Sequence, residues 1–233
     1  ISYRLRVVEL NAVCLYNVWW LIKASHLFDL MKREQQPLYV YDTETIRERA
    51  LSLVDNFMKD SKSAVVNFIF YAIKANPHPE MLKVIESMHF GFECVSTSEL
   101  NHVLSLFPNI DRRRILFTPN FAPKEEYEYG LGLGVNLTLD NTFPLEVWPE
   151  LFQGKEIFLR VDPGIGKGHH AKVKTAGVNS KFGIPISDFP KLATLVDTAQ
   201  ATVVGLHAHL GSGILKEVKS WKETAQAFLD MLM

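Results

Sequence analysis

The sequence predicts an α/β fold, an incomplete (β/α)8 barrel with about six of its eight strands present, and two observations carry this reading. Short apolar runs start at residues 68, 91, 114, 135, 156 and 203, at intervals of 23, 23, 21, 21 and 47 residues, and the intervals hold helical patterns. Such alternation implies parallel strands joined by crossover helices. The competing doubly wound sheet needs a G-x-G-x-x-G turn directly after a strand. Here Gly130, Gly132 and Gly134 instead precede one.

Taken in chain order, residues 1–36 read as an N-terminal extension or linker that docks through Trp19 and Trp20. Its apolar stretch Leu10 to Ile22 is short of the ~20 residues that span a bilayer and contains Asn11 and Asn17. A strand at Pro37 to Asp42 lies outside the regular spacing and is expected to belong to a separate β domain whose other strands are absent. It leads into a helix from Thr43 to Met58, whose Ile46, Ala50, Leu53, Val54 and Phe57 form one apolar stripe. From residue 37 to 233 the chain reads as the barrel domain. Its strands are Phe68 to Lys74, Gly91 to Ser96, Arg114 to Thr118, Val135 to Asp140, Glu156 to Asp162 and Val203 to His209. Pro79 marks a helix start, Ser187 is the expected N-cap of a later helix, and a last helix covers Glu217 to Met233. On this count two strands and a C-terminal β domain are missing.

Composition narrows the function classes. With 47% hydrophobic and 22% charged residues a core is available, and 25 basic against 26 acidic residues leave a net charge of −1. Nothing in that balance suggests a nucleic acid or a membrane as partner, so a small molecule is expected. Only Cys14 and Cys94 are present, which is too few for a disulfide framework and lacks zinc-site spacing. No metal is expected, and a reducing cytoplasm is the expected location.

The chemistry-bearing residues gather at strand ends, where barrels place catalytic groups. Lys74 closes the first apolar run. In an apolar pocket such an amine has its pKa lowered, because desolvation disfavours the charged form, and only the free amine condenses with an aldehyde. The glycine-rich, basic stretch Gly164 to Gly177, with His169 and His170, fills the long interval and suits a mobile active-site loop.

Tyr71-Ala72-Ile73-Lys74-Ala75-Asn76 resembles the cofactor-lysine motif of the pyridoxal-phosphate decarboxylases that act on diaminopimelate, ornithine and arginine. Gly91-Phe92-Glu93-Cys94-Val95-Ser96, Arg160-Val161-Asp162-Pro163-Gly164, Ser180-Lys181-Phe182-Gly183-Ile184 and Gly205 to Gly213 are similar to that group's later motifs, in the same order. Gly166-Lys167-Gly168-His169-His170 looks most like the diaminopimelate branch. His207-Ala208-His209-Leu210-Gly211-Ser212-Gly213 resembles the version fused behind an aspartate kinase.

The resemblance implies a barrel of the alanine-racemase and group IV decarboxylase type that binds pyridoxal 5'-phosphate, takes a diamino acid as substrate and works as a homodimer. It implies that Lys74 carries the cofactor, that His209 lies against the pyridine ring and that Ser212 donates to the phosphate. Arg160 would lie near lysine and cofactor. Glu93 stands where the family has aspartate, one methylene further out. His169, His170 and Lys181 would meet the substrate, and His207 is expected to face away from His209. The family's phosphate-binding glycine triplet, its Glu-Pro-Gly-Arg strand and the later cysteine and tyrosine would lie beyond position 233. The chain alone is therefore expected to be inactive. The reaction implied for the full-length relative is decarboxylation of meso-diaminopimelate to lysine; the alternatives are a non-catalytic pyridoxal-phosphate-binding barrel and a decarboxylase of another diamino acid such as ornithine or arginine.

Overall fold

The computed structural model describes residues 6–8, 24–57, 68–162, 181–211 and 219–232. The chain divides into two compact units, one comprising residues 1–71 and 75–90 and the other residues 72–74 and 91–233.

In the first unit the strand expected at 37–42 shortens to β2 (Val40–Asp42) and pairs in parallel with β1 (Arg6–Val8), placing Val7 opposite Tyr41. Helix α1 covers Ala24–Glu34. Helix α2 (Thr43–Phe57) starts at Asp42, which is buried. Asp42 Oδ1 accepts from the Glu44 backbone N–H at 3.2 Å and Oδ2 from the Thr45 hydroxyl at 2.9 Å, so the carboxylate satisfies donors that a helix start leaves open. Helix α3 (Pro79–Ser87) has Pro79 in its first turn as expected, and its cap is His78, whose ring accepts from the Glu80 backbone N–H at 3.3 Å. Its buried face is Met81, Leu82, Val84 and Ile85. The docking of Trp19 and Trp20 lies outside the described residues.

The second unit is a parallel sheet with helices between its strands. Strand β3 (Phe70–Ala72) hands its end to this unit. β4 (Gly91–Cys94), β5 (Ile115–Phe117), β6 (Asn136–Leu139) and β7 (Glu156–Asp162) then follow in chain order, each pairing with the next. The N-terminal part of β7 pairs with β9 (Thr202–His207), with a register shift at Ile157 and Phe158, and its last two residues pair with β8 (Ile184–Pro185). Disregarding β8, strand order equals chain order throughout. That is the winding of a (β/α)8 barrel, here part of one.

Five intervening helices are α4 (Thr97–Leu106), α5 (Lys124–Leu133), the short α6 (Phe143–Val147), α7 (Phe189–Ala199) and α8 (Lys219–Leu232). Ser96 caps α4 by accepting from the Glu99 N–H at 3.3 Å, and Glu99 reaches back to the Val95 N–H at 2.7 Å. Phe92, Cys94, Ile115, Phe117, Leu137, Leu139, Ile157 and Leu159 are buried and share one face of the sheet, since alternate residues of a strand point the same way and the ladders set these opposite one another.

Three expectations are corrected. Strand β3 stops at Ala72, and Lys74 sits in the following 3-10 turn (Ile73–Ala75). The cap of α7 is Asp188, not Ser187, whose hydroxyl donates to the Asp188 carboxylate at 3.1 Å. Strand β8 was not foreseen. No described helix is long and apolar enough to cross a membrane.

Candidate active site

Because the strands run parallel, their C-terminal ends share one rim, and the second unit sets a polar residue at or just past each end: Lys74, Glu93, Thr118, Asp140, Arg160 with Asp162, and His207 with His209. Lys74 is exposed there, so the apolar surround expected for it is not what it has.

Arg160 is the best-held cation. It is 9% exposed, and its Nη1 donates to Asn120 Oδ1 at 3.1 Å. Its guanidinium lies over the Phe182 ring, 4.9 Å from the centroid. Burial holds its pKa below the usual arginine value, while Asp140, Glu93 and Asp162 act in the opposite direction. Lys181, from the same Ser-Lys-Phe-Gly motif, is exposed and places its Nζ 4.9 Å from the centroid of the same ring. Phe121 packs against Phe182 at 5.8 Å. Gly183 anchors the segment, its N–H donating to the Asp140 carbonyl at 3.1 Å.

Arg160 faces His207 across the β7–β9 ladder. Burial is the main reason that the His207 imidazole is held down to about 4, and Arg160, His209 and Lys74 add to it. The pKa of His209 is lowered by burial first, then by Arg160 and Lys74. Both rings are therefore neutral at pH 7, and both lie in the field of the same two cations. This corrects the expectation that His207 faces away: β9 ends at His207, and His209 just past it acts on the His207 ring together with Arg160 and Lys74. The Nδ1 of His207 is buried without a hydrogen-bond partner among the described residues.

Glu93 meets Thr118, whose hydroxyl donates to its carboxylate. Asp140 is 2% exposed. Its Oδ1 accepts from Asn141 Nδ2 at 2.8 Å and its Oδ2 has no partner among the described residues. Burial raises the Asp140 pKa, against the hydrogen bond from Asn141 and the charge of Arg160. Cys94 is a free, buried thiol pushed up by desolvation and by Glu99 and Glu93, which suits a core residue. Ser212, His169 and His170 lie outside the described residues. No group of metal-ligating side chains forms among those described.

Sequence reasoning passed over Thr118, Asn120 and Asp140 and set His207 aside. The signal was available for two of them. Thr118 and Asp140 each follow a buried apolar strand directly, the position from which barrels draw functional groups.

The residues fit an aldehyde cofactor that carries a phosphate. There is an exposed primary amine, two cations whose field lowers both imidazoles and would favour an anion, and a buried imidazole nitrogen that lacks a partner.

Residues 45–232 match the family model described as pyridoxal-dependent decarboxylase, pyridoxal binding domain. A diaminopimelate decarboxylase of Methanothermobacter thermautotrophicus is 34% identical over 199 residues, which are 84% of this chain and 45% of that protein. A crystal structure of a diaminopimelate decarboxylase superposes with a TM-score of 0.76 at 25% identity, covering 90% of this chain and 47% of that one. A Helicobacter pylori diaminopimelate decarboxylase complexed with L-lysine superposes at 0.74 with 24% identity, covering 88% and 53%. The chain spans about half the length of the relatives it matches.

Proposed function

The chain belongs to the pyridoxal-dependent decarboxylases, most of it corresponding to their pyridoxal-binding domain, and on that footing we propose that it forms the cofactor-holding barrel of an enzyme that decarboxylates meso-diaminopimelate to lysine. The observation that carries the reading is the meeting of Lys74, Arg160, His207 and His209 at one sheet rim, with both cations acting on both imidazoles.

Lys74 would carry the cofactor. Its exposed amine is within reach of an incoming aldehyde and of a substrate amine that displaces it. Pyridoxal phosphate, when bound, supplies the electron sink for the pair left behind as carbon dioxide departs. His209, neutral at pH 7, offers an uncharged flat face to a pyridine ring. His207 likewise stays neutral and can hold a proton on either ring nitrogen. Arg160 supplies fixed positive charge beside them, and its tie to Asn120 and stacking on Phe182 limit its wandering. Glu93 contributes a carboxylate on the neighbouring strands. Ser212, between two glycines that let backbone approach an anion, would grip the phosphate. His169, His170 and Lys181 would meet the second carboxylate of a dicarboxylic substrate. The free Cys94 supports a cytoplasmic setting, and the family resemblance supports a homodimer.

Release of labelled carbon dioxide from carboxyl-labelled diaminopimelate tests the proposal, with ornithine and arginine in parallel. The expected outcome, in the full-length enzyme that carries this barrel, is turnover of diaminopimelate that Lys74→Ala abolishes; the 233-residue chain assayed alone is expected to release none. Wild-type-like turnover in Lys74→Ala, or release from ornithine or arginine alone, contradicts it.

A further inference from the structure

The residues that hold Glu93 and Arg160 form a continuous chain of hydrogen bonds through one short segment. Thr118 and Asn120 follow β5, which pairs with β4 on one side and β6 on the other, with Glu93 on the neighbouring β4 and Arg160 two strands further along on β7. The Thr118 hydroxyl has one proton and two acceptors in reach, the Glu93 carboxylate and, at 3.4 Å, the Cys94 carbonyl. That carbonyl already accepts the Thr118 backbone N–H at 2.8 Å, so the proton goes to the charged acceptor. The Thr118 carbonyl in turn accepts from Asn120 Nδ2 at 3.3 Å, and Asn120 Oδ1 accepts from Arg160 at 3.1 Å. Only this orientation of the Asn120 amide satisfies both neighbours, because a guanidinium can only donate and a carbonyl only accept.

We infer that Thr118 and Asn120 are positioning residues that fix Glu93 and Arg160 relative to each other at the cofactor site, an inference that rests on the proposed cofactor role of that pair. Each charge is held through a hydrogen bond by a neutral side chain, which orients it.

The test is equilibrium binding of pyridoxal 5'-phosphate to the full chain, followed by the visible band of the bound cofactor and that band's pH midpoint. Thr118→Val keeps volume and removes the hydroxyl. Thr118→Ser keeps the hydroxyl and removes a methyl group. The expected result is about tenfold weaker binding and a shifted midpoint for Thr118→Val, the loss of a hydrogen bond to a charged group, with Thr118→Ser near wild type. In double-mutant cycles, Thr118→Val should cost nothing further once Glu93→Met, which removes the acceptor, is present, and Asn120→Leu nothing further once Arg160→Met is present. Thr118→Ser as weak as Thr118→Val assigns the effect to packing and overturns the inference. So do additive cycles. A wild-type chain that binds no cofactor overturns the underlying functional reading as well, which separates the two failures.

Discussion

His207 stands beside Arg160 in the β7–β9 ladder, and protonating it would put a third positive charge into a place already facing two cations. Its folded pKa of about 4 lies below the 6.5 of an ordinary histidine, so between these values the unfolded chain binds more protons than the folded one. Stability therefore rises with pH across that window, is fully present above pH 6.5 and is lost as pH falls toward 4. The contribution is on the order of 3 kcal/mol. The raised Asp140 carboxyl works in the opposite direction, favouring the fold at low pH, so the comparison is made between wild type and His207→Gln. Urea midpoints measured from pH 7 to pH 4 should fall more steeply for wild type. Parallel profiles would remove His207 from the account. At this scale the sequence was read unevenly. Lys74, Arg160 and His209 are legible because each sits in a motif at a strand end, whereas Asn120 acts through a bond to a residue 40 positions away that local pattern does not reveal.

At the scale of elements, two glycines are required by their surroundings. Gly183 has φ +83°, and a Cβ there would lie 3.1 Å from the Asp162 backbone nitrogen, while the Gly183 N–H ties the Phe182 segment to β6. Gly130 in α5 would put a Cβ 2.6 Å from Phe117 Cδ1, inside a fully buried ring. Gly183→Ala should cost about 1 to 2 kcal/mol from backbone conformation, and Gly130→Ala about 1 to 3 kcal/mol from overpacking. Chemical denaturation measures both. Gly183→Ala should in addition weaken cofactor binding, since it loosens the ring under Arg160, while Gly130→Ala should not. Equal binding losses in the two would detach Phe182 from the site. The long elements were legible: the stripe of α2 and the interval rule gave helices and six strands close to their observed bounds. β8 was not, because it is two residues long and one of them is Pro185, which lacks the N–H a ladder uses.

For the whole molecule, the barrel winding was legible because, the short β8 apart, the strands of the second unit's sheet pair in chain order, so sequence spacing maps directly onto sheet order. The pairing of Arg6–Val8 with Val40–Asp42 was not, since nothing in three residues at the start of the chain indicates a partner 34 positions later. The family was legible from motif words in sequence, and the site follows from the winding, which carries the ends of all the strands to one rim. On the proposed function this rim serves one amine, Lys74. Borohydride reduction of the chain incubated with pyridoxal 5'-phosphate makes the bond between amine and aldehyde permanent, and peptide mapping by mass spectrometry then locates it. The account predicts one modified site, Lys74, at one equivalent per chain, and its loss in Lys74→Ala without transfer elsewhere. Label spread over exposed lysines such as Lys83, Lys155 and Lys191, or retained at full level in Lys74→Ala, would contradict it.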